Sequence, residues 1–184
     1  MIEIFYGISG TGKTTLAKRK DRYHLSGIKE FRNEWKSSFE GFDRFLPLND
    51  LSFAHLHLYE LRKMINDDSN VGVGAYGGSV GIERGVTDML FFWELHGGEH
   101  SDELCNKLVK EEAEILGDVK KTLLVMKDRD FISDVILAEP QRRDQFPGGV
   151  EQYLEIQNTY VEFTKKWNKI DKETTIYEAS KFIY

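Results

Sequence analysis

Lys13 and Thr14 close a glycine-spaced run, Gly7-Ile8-Ser9-Gly10-Thr11-Gly12-Lys13-Thr14, which fits the pattern G-x-x-x-x-G-K-[ST]. Those residue types at that spacing suit one kind of chemistry. Glycines let a loop wrap backbone N–H groups around phosphate oxygens with no Cβ in the way. A lysine after the last glycine reaches the β- and γ-phosphates, and the hydroxyl that follows binds Mg²⁺. The run therefore predicts a bound nucleoside triphosphate, with Gly7, Ser9, Gly10, Thr11, Gly12, Lys13, Thr14 and Thr15 as its contacts and ATP and Mg²⁺ as cofactors. What receives the γ-phosphoryl group stays open at this point: water, a small molecule or a polymer end.

Three other stretches carry chemistry. In GIERGVTD, Glu83 and Arg84 stand where a strand ends, and ligands of parallel sheets collect at the carboxyl ends of strands. A carboxylate there can hold the Mg²⁺ hydration shell with Thr14, and the guanidinium can clamp phosphoryl oxygens. KEFRNEW offers an acid, a guanidinium and a large ring in Glu30, Arg32 and Trp35, a set able to meet a hydroxyl, a phosphate and a base. EPQRRDQFPGG, residues 139–149, reads as a lid loop bounded by Pro140 and Pro147 and carrying Arg142 and Arg143. Such a loop can exclude water and bring positive charge to a transferring phosphoryl group.

The elements that must position these residues alternate between strand and helix. Residues 2–8 read as a buried strand and 11–23 as a helix that meets the phosphates at its N-terminus. A long helix follows at 50–68, a strand at 79–85 and a helix at 101–116 with Ser101 as its N-cap. A third strand is expected at 121–127, an amphipathic helix at 148–170 and a last strand at 174–179, while 24–31 holds room for a short strand. The pattern predicts a single α/β domain over 1–184: a P-loop NTPase fold, with a parallel sheet and helices on both faces.

Bulk properties narrow the partners. The net charge of -6 disfavours DNA as a partner, and no apolar run reaches the roughly 20 residues of a membrane span. The first residues read as a strand and not as a signal peptide, and Cys105 is the only cysteine, so a cytoplasmic setting is expected. Three motifs are decoys. GVGAYG at 72–77 precedes a strand where a dinucleotide loop would follow one. NKID at 168–171 follows a helix, and no D-x-x-G accompanies it. His96 and His100 in HGGEH lack an evident third ligand and read as solvated histidines in a loop.

These segments, in their order along the chain, resemble the deoxynucleoside kinase and thymidylate kinase group of P-loop kinases. ERGVTD is similar to the E-R-S segment of deoxynucleoside kinases, with Gly85 where serine is usual. KEFRNEW is similar to E-P-V-x-x-W, whose Glu is the general base and whose Trp lines the nucleoside pocket; Glu30 and Trp35 keep that spacing, with Phe31 and Arg32 in place of Pro and Val. RRDQFPGGVEQYLEIQNTY resembles the arginine lid and the helix after it, which adds Asp144 as a substrate contact. LSFAHLHLY resembles the helix whose glutamine reads the base, but Leu56 or His57 occupies that place.

The resemblance implies a kinase acting on a deoxynucleoside 5′-hydroxyl. Glu30, Arg84, Arg142 and Arg143 are then the catalytic set, Arg32, Trp35, His57 and Asp144 bind substrate, and Thr14 and Glu83 hold Mg²⁺. It also implies a homodimer. The alternatives are a deoxynucleoside monophosphate kinase with Arg32 on the extra phosphate, a kinase for a hydroxymethylated base or an end in DNA, and a regulatory ATPase.

Overall fold

β1 (Ile2–Tyr6) is a run of β-branched and aromatic residues, buried from Glu3 onward, as a central strand of a parallel sheet must be. The computed structural model describes residues 1–18, 23–25, 46–66, 79–170 and 172–175. Around β1 are β2 (Tyr23–Leu25), β3 (Val80–Glu83), β4 (Lys120–Val125) and β5 (Glu173–Thr175), in the spatial order β2-β3-β1-β4-β5. Every pairing is parallel, with Phe5 opposite Glu83 and Tyr6 opposite Leu123.

Seven helices are described: α1 (Lys13–Ala17), α2 (Leu46–Asn66), α3 (Val86–Leu95), α4 (Asp102–Leu116), α5 (Arg129–Ala138), α6 (Pro140–Gln145) and α7 (Gly149–Asn168). Side chains alternate across each strand, so the two sheet faces acquire separate cores. Phe5 and Leu124 pack with Leu16 and Ala17 of α1 on one face. Ile4, Tyr6, Leu123 and Val125 pack on the other with Phe91 of α3, Ile132 of α5 and Tyr160 of α7. The chain is thus an α/β protein with an all-parallel sheet and helices on both faces. Among the described residues no helix is long and apolar enough to cross a membrane.

Three expectations are corrected. The first helix spans Lys13–Ala17 and not 11–23, because Tyr23 already pairs with Val80 as the start of β2. The stretch 139–149 is not a loop: Pro140 opens α6, Phe146 is buried against Tyr153, and Gly149 begins α7. Helices α3 and α5 lie where none is expected.

The topology aims a crevice at the glycine run. From β1 the chain turns toward β3 and β2, whereas from the neighbouring β4 it runs the other way, to β5. Connections diverging from adjacent parallel strands leave a crevice at their carboxyl ends, where α/β proteins bind ligands. The loop after β1 starts there.

Candidate functional site

Loop 7–12 doubles back on itself. Gly10 sits at φ 88, in the left-handed region, and a Cβ there would lie 2.5 Å from Val135 Cγ1 of α5, so both backbone and space demand glycine. Lys13, only 3% exposed, folds into the loop and donates from Nζ to the Ile8 carbonyl at 2.7 Å. The Thr11 hydroxyl donates to the same carbonyl at 3.0 Å. Two tyrosines of α7 brace the loop: Tyr153 donates to the Ser9 carbonyl at 2.9 Å, and Tyr160 accepts the Gly7 N–H at 2.9 Å. Thr14 is half-buried and Thr15 exposed on α1.

Beside the loop, β3 ends in Glu83 and Arg84. Glu83 is 5% exposed; its Oε2 lies 3.6 Å from His24 Nε2 and has no hydrogen-bond partner among the described residues. Arg84 takes φ 74, a left-handed conformation that costs a side-chain-bearing residue roughly 1–2 kcal/mol. Its N–H is held by the Phe5 carbonyl at 3.1 Å and its guanidinium lies 5.2 Å over the Phe92 ring. Arg84 Nη1 is 3.5 Å from Asp88 Oδ1.

Asp88 is a member of this site that the sequence did not single out. It sits at the third position of α3, where its Oδ2 accepts the Gly85 N–H at 3.0 Å in a helix cap. Its Oδ1 accepts the Tyr160 hydroxyl at 2.9 Å. Burial pushes the Asp88 carboxyl above the ordinary carboxylate range, and Arg84, Lys13 and the two hydrogen bonds only partly offset this. Burial, with Asp88 close by, also holds the Tyr160 phenol well above its usual value, so it keeps the proton it donates.

Behind the turn lies a second buried network. Glu112 Oε1 accepts the Val86 N–H at 2.8 Å and lies 3.1 Å from His57 Nε2. Asn168 donates to Thr87 Oγ1 at 2.6 Å. His57, expected at a base-reading position, is buried on the face of α2 that meets α4. Its Nε2 faces Glu112, and its Nδ1 has no hydrogen-bond partner among the described residues.

This packing leaves no room for a side chain at position 85. A Cβ at Gly85 would stand 2.8 Å from the Tyr6 ring and hydroxyl and 3.0 Å from Glu112 Oε1. Gly85→Ala is therefore expected to destabilise the protein by about 1–3 kcal/mol, since the buried ring cannot yield without shifting β1. At about 2–4 °C per kcal/mol for a chain of this size, a thermal melt resolves the change.

The structure sorts the remaining candidates. Arg142 is half-buried and donates to the Val135 carbonyl at 3.1 Å and to Glu139 at 3.0 Å. Its charge partly offsets the upward shift that burial imposes on the Tyr153 phenol, so it lies near the loop. Arg143 and Asp144 are exposed on α6. Glu30, Arg32 and Trp35 lie outside the described residues, as does the GVGAYG stretch. His100 is not solvated: it bonds Glu94 at 2.9 Å, sits 3.2 Å from Cys105 Sγ and packs on Phe163. Burial, then Asp102 and Glu94, push the Cys105 thiol up to about 11, so it stays protonated near neutral pH.

A cleft of about 310 Å³ opens at the carboxyl end of β4, lined by Met126, Lys127, Leu154, Gln157 and Asn158 among others. Gln157 clamps it by accepting the Met126 N–H and donating to the Met126 carbonyl, both at 2.8 Å. The site as a whole therefore presents a braced glycine loop with an inward lysine, two buried acids and two arginines. Comparison of the chain with family models, curated proteins and solved structures gives no match to any of them.

Proposed function

We propose that the chain is an ATP-dependent kinase of P-loop fold that transfers the γ-phosphoryl group to a nucleoside-like acceptor, first of all a deoxynucleoside 5′-hydroxyl. The observation that carries the reading is the loop itself: a glycine loop with a buried, inward lysine, opening at the switch point of a parallel sheet beside an acid and an arginine. Lys13 and the loop amides hold the β- and γ-phosphates. Arg84 and Arg142 bring positive charge to the transferring group, with Arg143 a further source from α6.

Thr14 and Glu83 would hold Mg²⁺. A buried carboxylate oxygen lacking a hydrogen-bond partner among the described residues, next to the loop, fits a cation or its water. The ion, when bound, neutralises charge developing on the phosphoryl oxygens. Glu30 orients the acceptor hydroxyl and takes its proton late, because the transition state is loose and an ordinary glutamate, with pKa about 4.3, is a weak base for an alcohol.

The test supplies labelled ATP and Mg²⁺ with a panel of deoxynucleosides, their 5′-monophosphates and hydroxymethylated DNA. The expected product is labelled deoxynucleoside monophosphate. Label on a monophosphate or on DNA moves the acceptor to that class, and label in phosphate alone removes every kinase reading. Glu30→Gln should cripple transfer to a hydroxyl and spare transfer to a monophosphate.

A further inference from the structure

Three segments far apart in sequence meet in one chain of polar contacts. The Gly7 N–H donates to the Tyr160 oxygen at 2.9 Å, the Tyr160 hydroxyl donates to Asp88 Oδ1 at 2.9 Å, and Arg84 Nη1 lies 3.5 Å from that same oxygen. The first amide of the glycine loop is thereby linked to the guanidinium beside it through α7 and α3. Asp88 spends its other oxygen on the Gly85 N–H, the amide that directly follows Arg84.

This is more than a helix cap requires. Holding the N-cap N–H of Gly85 from the third position of α3 needs only one acceptor, which an uncharged glutamine supplies without burying a charge. A fully buried acid is a costly cap, and the nearby Arg84 and Lys13 offset that cost only in part. Arg84, meanwhile, holds a left-handed backbone that would relax unless its neighbours fixed it. Asp88 meets both needs: one oxygen pins the backbone after Arg84 and the other faces its guanidinium. Tyr160 then ties that carboxylate to the loop.

We infer that Asp88 and Tyr160 are positioning residues that set Arg84 against loop 7–12, so that the arginine and the loop amides keep one geometry toward a bound triphosphate. The inference rests on the kinase reading above. Neither residue touches the phosphoryl group. Their contribution is orientation, and displacement of a charged group by about 1 Å costs on the order of 10²-fold in rate.

Asp88→Asn removes the charge but keeps the shape and one carbonyl acceptor, while Tyr160→Phe removes only the hydroxyl that joins loop to acid. With wild-type protein and the acceptor it uses, each variant is expected to lower kcat by about 10–100-fold while KM for ATP stays within about threefold. Arg84→Ala combined with Asp88→Asn should be no slower than Arg84→Ala alone, because the acid acts through the arginine. Circular dichroism melts on each variant give the folded fraction, and Tyr160→Phe serves if Asp88→Asn does not fold. Rates that follow the folded fraction alone, or single effects that multiply in the double variant, overturn the assignment while leaving the kinase reading standing. Wild-type protein that neither binds ATP nor transfers label to any acceptor overturns both.

Discussion

Lys13→Ala is expected to lower phosphoryl transfer on the order of 10³-fold or more while the protein remains folded, because removing one cationic contact to the developing charge forfeits that scale of stabilisation. The structural cost should be small. Lys13 Nζ donates to the Ile8 carbonyl at 2.7 Å and, at the longer distance of 3.5 Å, to Thr11 Oγ1, and the carbonyl keeps its bonds from the Thr11 hydroxyl and amide. Each bond of this kind contributes about 1 kcal/mol. The other consequence is electrostatic: Asp88 loses one of the two cations that hold its carboxyl down, so its tendency to bind a proton rises further. Lys13→Arg should fail nearly as badly, since the planar guanidinium does not fit a loop closed on a point-like ammonium. The checks are label transfer from ATP, equilibrium dialysis with ATP and Mg²⁺, and a thermal melt. Transfer within tenfold of wild type in a folded Lys13→Ala protein would remove Lys13 from the donor side.

What the sequence makes legible follows from how local each signal is. β1, the glycine run and α1 form one continuous segment in which hydrophobicity, glycine spacing and a helix start agree, so it reads correctly to within the end of α1. Ser101 caps α4 as its residue type and position require, accepting the Leu104 N–H at 3.2 Å. α3 hides because Val86 through Trp93 are all buried: a helix buried on nearly every side shows no amphipathic period. α5 had a local mark, Asp128 capping the Phe131 N–H at 2.9 Å, but its mixed composition hides it. Asp88 is legible only as a first-turn acid. Its role comes from Tyr160, 72 residues on, and from the fold of Arg84, neither of which leaves a local trace. His57 is the converse case. Its place in LSFAHLHLY suggests a base reader, and only the docking of α2 on α4 turns it onto Glu112.

Glu112→Ala is expected to be the most destabilising single change in the buried polar network, by about 3–5 kcal/mol. The carboxylate accepts the Val86 N–H at 2.8 Å, lies 3.1 Å from His57 Nε2, and stands 3.5 Å from the Tyr6 hydroxyl. Its removal strands the Val86 amide and the His57 nitrogen away from water, each at a cost of about 1–3 kcal/mol, and opens space beside Gly85. At about 2–4 °C per kcal/mol for a chain of this length, the melting temperature should fall by about 10 °C. Glu112→Gln keeps an acceptor for Val86 and should lose less than half as much. His57→Ala added to Glu112→Ala should cost little more than Glu112→Ala alone, because the two share one contact. A melting temperature within about 2 °C of wild type for Glu112→Ala would mean that water or a shifted α4 satisfies these groups and that the network carries little stability. The variant also reports on the site. Glu112 fixes the first residue of α3 and Asp88 stands at the third, so loosening that turn releases the backbone that holds Arg84. Measured at a temperature where Glu112→Ala is fully folded, its kcat should therefore fall in the same direction as that of Asp88→Asn, since both act on the turn that aims one arginine.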